Sequence, residues 1–277
     1  MSLQDEINYY EEYREWYLKI MKAFNFSISQ DTRAREFLID ILDKKDNWDV
    51  EAILEDFHRK VDKNQILVYG CGPSLESTVN EIIKRRGDTF FNSFLNLAAD
   101  GASILLKEMN LPLDAVFTDL DGITEDIFDY AEYVIVHAHG DNMDKLKKFE
   151  DIIISHQKLI GTVQVKPLSP VINPGGFTDG DRILFYLRPF LRPEQNIFLI
   201  GMDFKDIVGR YSKPKYKQNH KADEVKQKKL NYAVNLIKWL LPKILNKFYV
   251  INSDFPSKIV REISIEDFLL RFTEVNY

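Results

Sequence analysis

Apolar residues recur at steps of three and four along the first 60 residues, which is the spacing of amphipathic helices. The first predicted helix covers residues 7–24, and aromatic rings dominate its apolar face. A second helix is predicted after Ser29, and a third after a cap provided by Asn47 or Asp49. Because this part of the chain has no strand pattern, we predict an N-terminal all-helical unit at residues 1–62. We expect its aromatic face to pack against the rest of the protein rather than to form a ligand cage.

From residue 65 onward, short apolar runs alternate with stretches of helical spacing, as in parallel sheets covered by helices. The pattern predicts an α/β fold with a Rossmann-like, mostly parallel sheet flanked by helices, and an α/β catalytic domain at residues 63–277. A long helix is expected from about Ala222, with Pro242 bending it near its end. The predicted strands are 65–69, 93–98, 115–118, 133–137, 152–154, 161–165, 197–200 and 248–251.

The composition and net charge of the chain argue against several classes of partner. The 277 residues carry a net charge of −6, which argues against nucleic acid as a partner because that role usually needs a basic face. The amino terminus lacks a signal-peptide pattern, and no apolar run approaches the roughly 20 residues that span a bilayer, so no membrane partner is expected. Cys71 is the only cysteine and cannot form an internal disulfide. A cytoplasmic protein is therefore predicted, with Cys71 as a packing residue.

Two carboxylates follow the predicted strand at residues 115–118. Asp119 and Asp121 are one residue apart, and side chains alternate along a strand, so both are expected to point the same way at its carboxyl end. Two like charges this close repel each other unless a cation lies between them, and carboxylate oxygens suit a hard divalent ion. The pattern predicts a Mg²⁺ site at the edge of the sheet.

Polar residues also follow the other predicted strands, and parallel strands bring their carboxyl ends to one edge. Carboxylates, glycines and neutral polar groups together suit a magnesium nucleotide. His137 and His139 are expected to be hydrogen-bond donors or packing groups, because Mg²⁺ prefers oxygen ligands. The polar positions are Asp100, residues 137–142, Thr162, Gln164, residues 173–182 and residues 201–203.

Two segments have more than one interpretation. The loop at residues 70–74 leaves a strand and enters a helix, so its glycines and Ser74 are predicted to cradle a phosphate; a bare turn is the alternative. It is not a dinucleotide fingerprint, because Leu75 stands where a third glycine is needed. The basic segment at residues 209–221 is either a solvated loop or a lid over a triphosphate.

The sequence from Asp119 to Gly122 also looks like the nucleophile motif of haloacid-dehalogenase-type phosphatases, and that from Gly140 to Asp144 looks like their later acidic motif. The spacing argues against this interpretation, because only about one strand and one helix fit between the two segments. The nucleophile strand of that family also normally opens the domain, whereas here at least two predicted strands precede it.

Taken together, the motifs resemble those of the archaeal 6-hydroxymethyl-7,8-dihydropterin diphosphokinases, distant relatives of thiamine diphosphokinase. The resemblance covers residues 65–204 and the helix that begins near residue 222. The same broad family includes proteins associated with glycosylation of flagellar filaments. The matching segments are Gly70-Cys-Gly-Pro-Ser-Leu75, Ala99-Asp-Gly-Ala102, Thr118-Asp-Leu-Asp-Gly122, His137-Ala-His-Gly-Asp-Asn142, Gly175-Gly-Phe-Thr-Asp-Gly-Asp-Arg182 and Gly201-Met-Asp-Phe204.

The resemblance implies transfer of the terminal diphosphate of ATP to the hydroxymethyl group of a reduced pterin, with Mg²⁺ and release of AMP, in tetrahydromethanopterin or folate-type cofactor synthesis. On this basis the expected partners are ATP and the pterin; a homodimer is left open. Alternatives are the same transfer to thiamine, a non-catalytic nucleotide-binding module and the phosphatase. The assignment is Asp100, Asp119 and Asp121 as catalytic residues and metal ligands, Gly70, Gly72, Pro73, Ser74 and Arg182 toward the nucleotide, and Asn142, Gln164, Gly176, Thr178 and Asp179 toward the pterin.

Overall fold

The computed structural model describes residues 2–62 and 64–273. The helices are α1 (Leu3–Glu6), α2 (Tyr10–Phe24), α3 (Ile28–Leu42), α4 (Val50–Asp62), α5 (Leu75–Arg86), α6 (Ala102–Glu108), α7 (Asp126–Tyr130), α8 (Met143–Lys148), α9 (Glu150–Ser155), α10 (Asp179–Leu187), α11 (Glu224–Leu240) and α12 (Ile265–Thr273). The strands are β1 (Gln65–Tyr69), β2 (Phe94–Ala99), β3 (Ala115–Thr118), β4 (Tyr133–Ala138), β5 (Leu159–Val163), β6 (Asn196–Ile200), β7 (Ile207–Val208), β8 (His220–Lys221), β9 (Lys247–Ile251) and β10 (Arg261–Ile263).

Within these described residues, eight strands form one sheet in the order β10-β9-β6-β1-β2-β3-β4-β5. All neighbouring pairs are parallel, so the predicted α/β fold is confirmed. The chain moves outward from β1 to β5 and then returns to the other side of β1 with β6. Ligands of open α/β sheets bind at such a reversal of strand order, at the carboxyl ends of the strands.

Burial explains why the strands were visible in the sequence. Every residue of β2, β3, β4 and β5 is buried, as expected for parallel strands that helices cover on both faces. Helix α10 packs against β1, β2 and β3, whereas α3 and α4 pack against the outer strands β4 and β5.

The N-terminal helices share one continuous core with the sheet. On α2, Tyr13 packs edge-on against Phe185 of α10, and on α4, Phe57 packs edge-on against Tyr133 of β4 and Tyr186 of α10. The expectation that aromatic side chains of this unit pack against the main body is therefore confirmed. The domain boundary itself remains a prediction; residues 63 and 274–277 of the predicted second domain lie outside the described residues.

Several local predictions differ from the structure. The predicted strand at 152–154 is wrong, because these isoleucines lie in α9 and only Ile153 is fully buried. The predicted helix at 7–24 is found as α2 but begins only at Tyr10; Tyr9, just before it, donates its backbone N–H to Asn173 O at 2.9 Å, and the short helix α1 that precedes it was not predicted. Helix α11 ends at Leu240 and passes into a 3₁₀ turn that contains Pro242.

The short strands β7, β8 and β10 were not predicted, since each has only two or three residues. Across the described part of the chain, we find no helix with the length and apolar character required to cross a membrane.

Candidate active site

Three carboxylates meet at the carboxyl edge of the sheet. Asp100 follows β2, Asp119 follows β3, and Asp179 is the first residue of α10. Each offers one oxygen, and the three oxygens lie within 4.8 Å of one another. The structure thus brings together Asp100 and Asp119 from the predicted metal set and adds Asp179, which had been assigned to the pterin.

The backbone conformation of Asp100 and two hydrogen bonds hold its carboxylate in the cluster. Asp100 has a left-handed φ of 46°, and its Oδ1 accepts hydrogen bonds from Thr118 Oγ1 at 2.7 Å and from the backbone N–H of Gly122 at 3.2 Å. A Cβ atom on Gly122 would lie 1.9 Å from Asp100 Oδ2. Glycine is therefore required there for the carboxylate to keep its position.

Asp119 is held from the neighbouring strand end. His139 Nε2 lies 3.5 Å from Asp119 Oδ2, and the backbone N–H of Asp121 donates to Asp119 Oδ1 at 3.1 Å. The Asn142 amide donates to Asp119 O at 2.9 Å and to His137 O at 2.7 Å. Asn142 and His139 thus fix both the backbone and the carboxylate of Asp119.

The cluster carries more negative charge than its surroundings favour. Burial and the charge of Asp119 raise the pKa of Asp100 to about 8, and burial with both neighbouring carboxylates raises the pKa of Asp179 well above its ordinary value. Burial also opposes ionisation of Asp119, but the hydrogen bond and charge of His139 outweigh it and lower its pKa. Three converging carboxylate oxygens fit a hard divalent cation such as Mg²⁺, which would relieve this repulsion.

Asp121 lies beside the cluster rather than within it. Its Oδ2 is 2.9 Å from Lys213 Nζ, and its Oδ1 is 3.7 Å from Lys145 Nζ. The intervening Leu120 has a φ of 70°, so the alternation of an extended strand does not continue past Thr118. The carboxylate of Asp121 therefore faces lysines while that of Asp119 faces Asp100.

Two adjoining cavities open at the cluster. The acidic cleft is lined by five acids, Asp100, Asp119, Asp121, Asp179 and Asp223. It is also lined by basic residues of the 209–221 segment and α11, namely Lys213, His220, Lys221, Lys226 and Lys229. The second cavity, which we call the switch-point pocket, lies where β1 and β6 end. Its walls include Gly70, Gly72, Gly201, Asp203, Phe204 and Leu230. Both cavities share Asp100, Asp179 and Lys226.

The loop at residues 70–74 already holds an anion of the protein itself. Asp203 Oδ2 accepts hydrogen bonds from the backbone N–H of Ser74 at 2.9 Å and from its hydroxyl at 2.7 Å, and the Ser253 hydroxyl donates to Asp203 Oδ1. The carboxylate of Asp203 thus engages the donors of Ser74 that had been predicted to bind phosphate.

The other predicted residues divide into two groups. Thr178 lines the switch-point pocket together with Asp179. In the described part of the chain, the residues lining these two cavities do not include Pro73, Asn142, Gln164, Gly176 or Arg182. Arg182 is 2% exposed and donates to Phe177 O at 3.2 Å, and the amide of Gln164 donates to Asp31 of α3.

Sequence reasoning missed the lysines of α11 and a contribution from the N-terminal helices. Lys226 and Lys229 were part of a predicted helix, and only their three-residue spacing hinted that they share a face. Nothing in the sequence distinguished Asp31 as a residue near the site, because an acidic residue in the first turn of a helix is common.

Known proteins resemble this chain over most of its length. A sequence profile of the family described as "6-hydroxymethylpterin diphosphokinase MptE-like" matches residues 41–209. A protein of Pyrococcus furiosus named 6-hydroxymethyl-7,8-dihydropterin pyrophosphokinase is 39% identical over 233 residues, which cover 83% of this chain and 94% of that protein.

Proteins with the same name in Methanocaldococcus jannaschii and Methanothermobacter thermautotrophicus are 34% and 35% identical. The alignments cover 86% and 81% of this chain and 98% and 92% of those proteins. Among solved structures, a MAf glycosyltransferase from Magnetospirillum magneticum matches with a TM-score of 0.39 and 14% identity, over 73% of this chain and 34% of that one.

Proposed function

The chain belongs to the MptE-like 6-hydroxymethylpterin diphosphokinase family, and we propose that it is a 6-hydroxymethyl-7,8-dihydropterin diphosphokinase. The proposed reaction moves the β,γ-diphosphate of ATP to the hydroxymethyl group of the pterin. The hydroxyl oxygen of the pterin forms a bond to the β-phosphorus and its proton is released to solvent, the bond from that phosphorus to the α,β-bridging oxygen breaks, and AMP leaves with the bridging oxygen.

The observation that supports this proposal is the convergence of acids and lysines in one cleft. Asp100, Asp119 and Asp179 on their own would repel a triphosphate, whereas Lys226 and Lys229 would attract it. A carboxylate cluster facing lysines is the arrangement expected for a phosphate chain that brings its own divalent cation.

We propose that Asp100, Asp119 and Asp179 hold Mg²⁺, with Asp121 at the margin through its ion pair with Lys213. The metal would neutralise charge on the phosphates and on the leaving AMP. The protein's own part is to fix the phosphate chain in line with the acceptor hydroxyl and to keep its charges balanced, which requires no covalent participation by a side chain.

The two cavities suggest how the substrates are divided. We assign the triphosphate to the acidic cleft and a ring system to the switch-point pocket, because Met202, Phe204 and Leu230 give that pocket an apolar wall beside its polar groups. The loop of Gly70, Gly72, Pro73 and Ser74 stays our proposal for the nucleotide side. A phosphate can bind to Ser74 only if Asp203 releases it.

The remaining assignments are proposals that follow from the sequence. Arg182 is kept on the nucleotide side, and Asn142, Gln164, Gly176 and Thr178 on the pterin side, whereas Asp179 moves from the pterin side to the proposed metal cluster. We further propose that the product serves methanopterin or folate-type cofactor synthesis and that the enzyme works in the cytoplasm; a homodimer is compatible with all of this.

The test is to incubate the protein with ATP, MgCl₂ and either the reduced pterin or thiamine, and to separate nucleotides by chromatography. AMP is expected only with the pterin, in an amount equal to the diphosphorylated acceptor. AMP formation with thiamine alone would reassign the acceptor, and ADP or free phosphate as the product would contradict diphosphate transfer. The Asp119→Asn variant should fold and release no AMP above background.

A further inference from the structure

Asp31 of α3 connects the N-terminal helices to the carboxyl edge of the sheet. Its side chain accepts three hydrogen bonds from three different parts of the chain: to Oδ2 from Tyr17 Oη at 2.9 Å and from Gln164 Nε2 at 2.8 Å, and to Oδ1 from the backbone N–H of Gly140 at 2.8 Å. Asp31 is 3% exposed. Burying a carboxylate is costly unless its oxygens are hydrogen-bonded, and these three contacts offset that cost.

One of the contacts leads to the acid cluster. Gly140 follows His139, which lies 3.5 Å from Asp119 and is hydrogen-bonded through its backbone N–H to the Asn142 side chain at 2.9 Å. Helix α3 packs so closely here that a Cβ on Gly140 would lie 2.6 Å from Gln30 Cβ. The position of Asp31 therefore determines where the turn that holds Asp119 sits.

A second contact fixes the amide of Gln164 at the end of β5. Because Gln164 Nε2 donates to Asp31, its carbonyl oxygen must face the other way. Gln164 is 7% exposed, which leaves little room for the side chain to choose another arrangement. Asp31, 133 positions away in the sequence, thus determines that the carbonyl oxygen of Gln164, and not its NH₂ group, points away from α3.

We propose that Asp31 is a positioning residue for the diphosphate transfer: it holds the His139-Gly140 turn and the amide of Gln164 in the arrangement that the reaction requires. The N-terminal helical unit then contributes to the working site and is more than a packing layer. This inference rests on the proposed function, and it concerns a residue that touches neither the acid cluster nor a substrate.

The sharpest test exchanges the polar atoms of Asp31 and Gln164. In Asp31→Asn, only the amide oxygen can accept from Gly140 N–H, so the NH₂ group must take the place of Oδ2 and meet the NH₂ group of Gln164. In Gln164→Glu, two carboxylates face each other. The double variant D31N/Q164E restores a donor opposite an acceptor with the same number of atoms.

We expect each single variant to lower kcat/KM for the pterin by about 30-fold, as for the loss of a hydrogen bond to a charged group, and the double variant to recover to within about fivefold of wild type. Recovery requires the specific contact, because a role in packing alone gives losses that add. Tyr17→Phe is the matched control: it removes one hydrogen bond from the same carboxylate and spares the other two, so kcat/KM should stay within about twofold of wild type.

A second measurement follows the Gly140 contact without catalysis. Titrating the protein with MgCl₂ alone should raise its Tm, and Asp31→Ala, which loses the contact to Gly140, should need about tenfold more Mg²⁺ for half of the shift. Asp31→Asn retains that contact and should titrate like wild type. Equal titrations for wild type and Asp31→Ala would contradict the positioning of Asp119.

Failure of this inference is distinct from failure of the proposed function. If wild type releases AMP with the pterin and D31N/Q164E is no better than the worse single variant, the role of Asp31 is wrong and the function stands. If wild type releases no AMP with the pterin, the function is wrong, and the MgCl₂ titration of Asp31→Ala against Asp31→Asn still decides the role of Asp31.

Discussion

At the scale of single residues, Asp100 has both a chemical role and a cost. Its pKa of about 8 lies above the ordinary value of 3.8, so the favourable contribution of its protonated form is present below pH 4 and is lost as the pH rises through 8. The Tm of the metal-free protein is therefore expected to fall between pH 4 and pH 8 and to level off above pH 8. Asp100→Asn should flatten this dependence and raise the Tm at pH 9 by roughly 3 to 6 °C, while AMP release falls about a thousandfold.

Asp121→Asn is the comparison for that experiment. Asp121 lies in the same cleft but is paired with Lys213, so its loss removes a favourable contact and should not raise the Tm. Thermal melts in EDTA across the pH range measure both variants. An equal rise for the two variants would show that general cleft charge, and not the buried cluster, limits stability.

Gly122 offers a steric test of how tightly Asp100 is held. The Cβ of Gly122→Ala would lie 1.9 Å from Asp100 Oδ2, so we expect a loss of about 1 to 3 kcal/mol in the free energy of unfolding and a strong loss of AMP release. Gly87→Ala is the control. Its φ of 79° strains an alanine through the backbone, but its Cβ would meet only Thr89 Oγ1, at 4.0 Å, so there is no steric clash. Gly87→Ala should lose stability and keep activity; activity retained in Gly122→Ala would contradict the fixed geometry.

The sequence alone located part of this site. Asp100 and Asp119 were found because they directly follow buried strands. The position of Asp121 relative to the cluster was not foreseen, because the alternation rule was extended past Thr118 to a residue whose neighbour Leu120 has a left-handed φ. Asp179 reaches the cluster from the start of a helix 60 residues later in the chain, a proximity that only the tertiary fold creates.

At the scale of elements, α11 supplies cations to the acidic cleft. Lys226 and Lys229 both line it, but Lys226 also lines the switch-point pocket, so Lys229 is the cleaner test. We expect Lys229→Gln to raise the KM for ATP about fivefold with little change in the KM for the pterin, since partly exposed charge contacts contribute about 1 kcal/mol. Lys238→Gln on the same helix is the control, because Lys238 is exposed near its carboxyl end. Steady-state kinetics with each substrate varied in turn measure both KM values. An equal change in the two values would contradict the assignment of the cleft to the triphosphate.

Elements were predictable where burial was continuous. The strands from β1 to β6 are mostly buried runs of apolar residues, and the sequence located each of them within a few positions. The isoleucine run in α9 looked like a strand because β-branched residues favour extended backbone, yet a helix that buries only one side uses them as well. Whether the 209–221 segment moves as a lid stays a prediction, although Lys213 and Lys221 do line the cleft.

At the scale of the whole molecule, ion pairs at the amino ends of the strands join α4 to the sheet. Asp56 Oδ2 accepts hydrogen bonds from Lys158 Nζ at 2.7 Å and from Tyr133 Oη at 2.6 Å, and Lys158 also pairs with Glu132. The hydrogen bond from Lys158 lowers the pKa of Asp56 to about 2. Because the folded value is depressed, this contribution to stability is present above pH 4 and is lost as the pH falls toward 2.

Asp56→Asn is therefore expected to lower the Tm at pH 7 by about 2 to 4 °C, as for a surface ion pair worth up to about 1 kcal/mol. The difference from wild type should shrink as the pH falls from 4 to 2. Glu55→Gln on the same helix, whose carboxylate lies 4.0 Å from Arg59, should have a smaller effect at every pH. A difference for Asp56→Asn that is constant with pH would contradict the ion pair as its cause.

The common core of α2, α3, α4 and the outer strands has a consequence for synthesis. The ribosome releases residues 1–62 first, but the surfaces that cover their apolar side chains lie in β4, β5 and α10, which end at residues 138, 163 and 187. Between the end of α4 at residue 62 and the start of β4 at residue 133, none of these docking surfaces has yet been synthesised, and exposed apolar faces of nascent chains attract chaperones or aggregate. Nascent chains arrested before residue 133 should therefore bind chaperones, whereas chains released beyond residue 187 should have buried those faces.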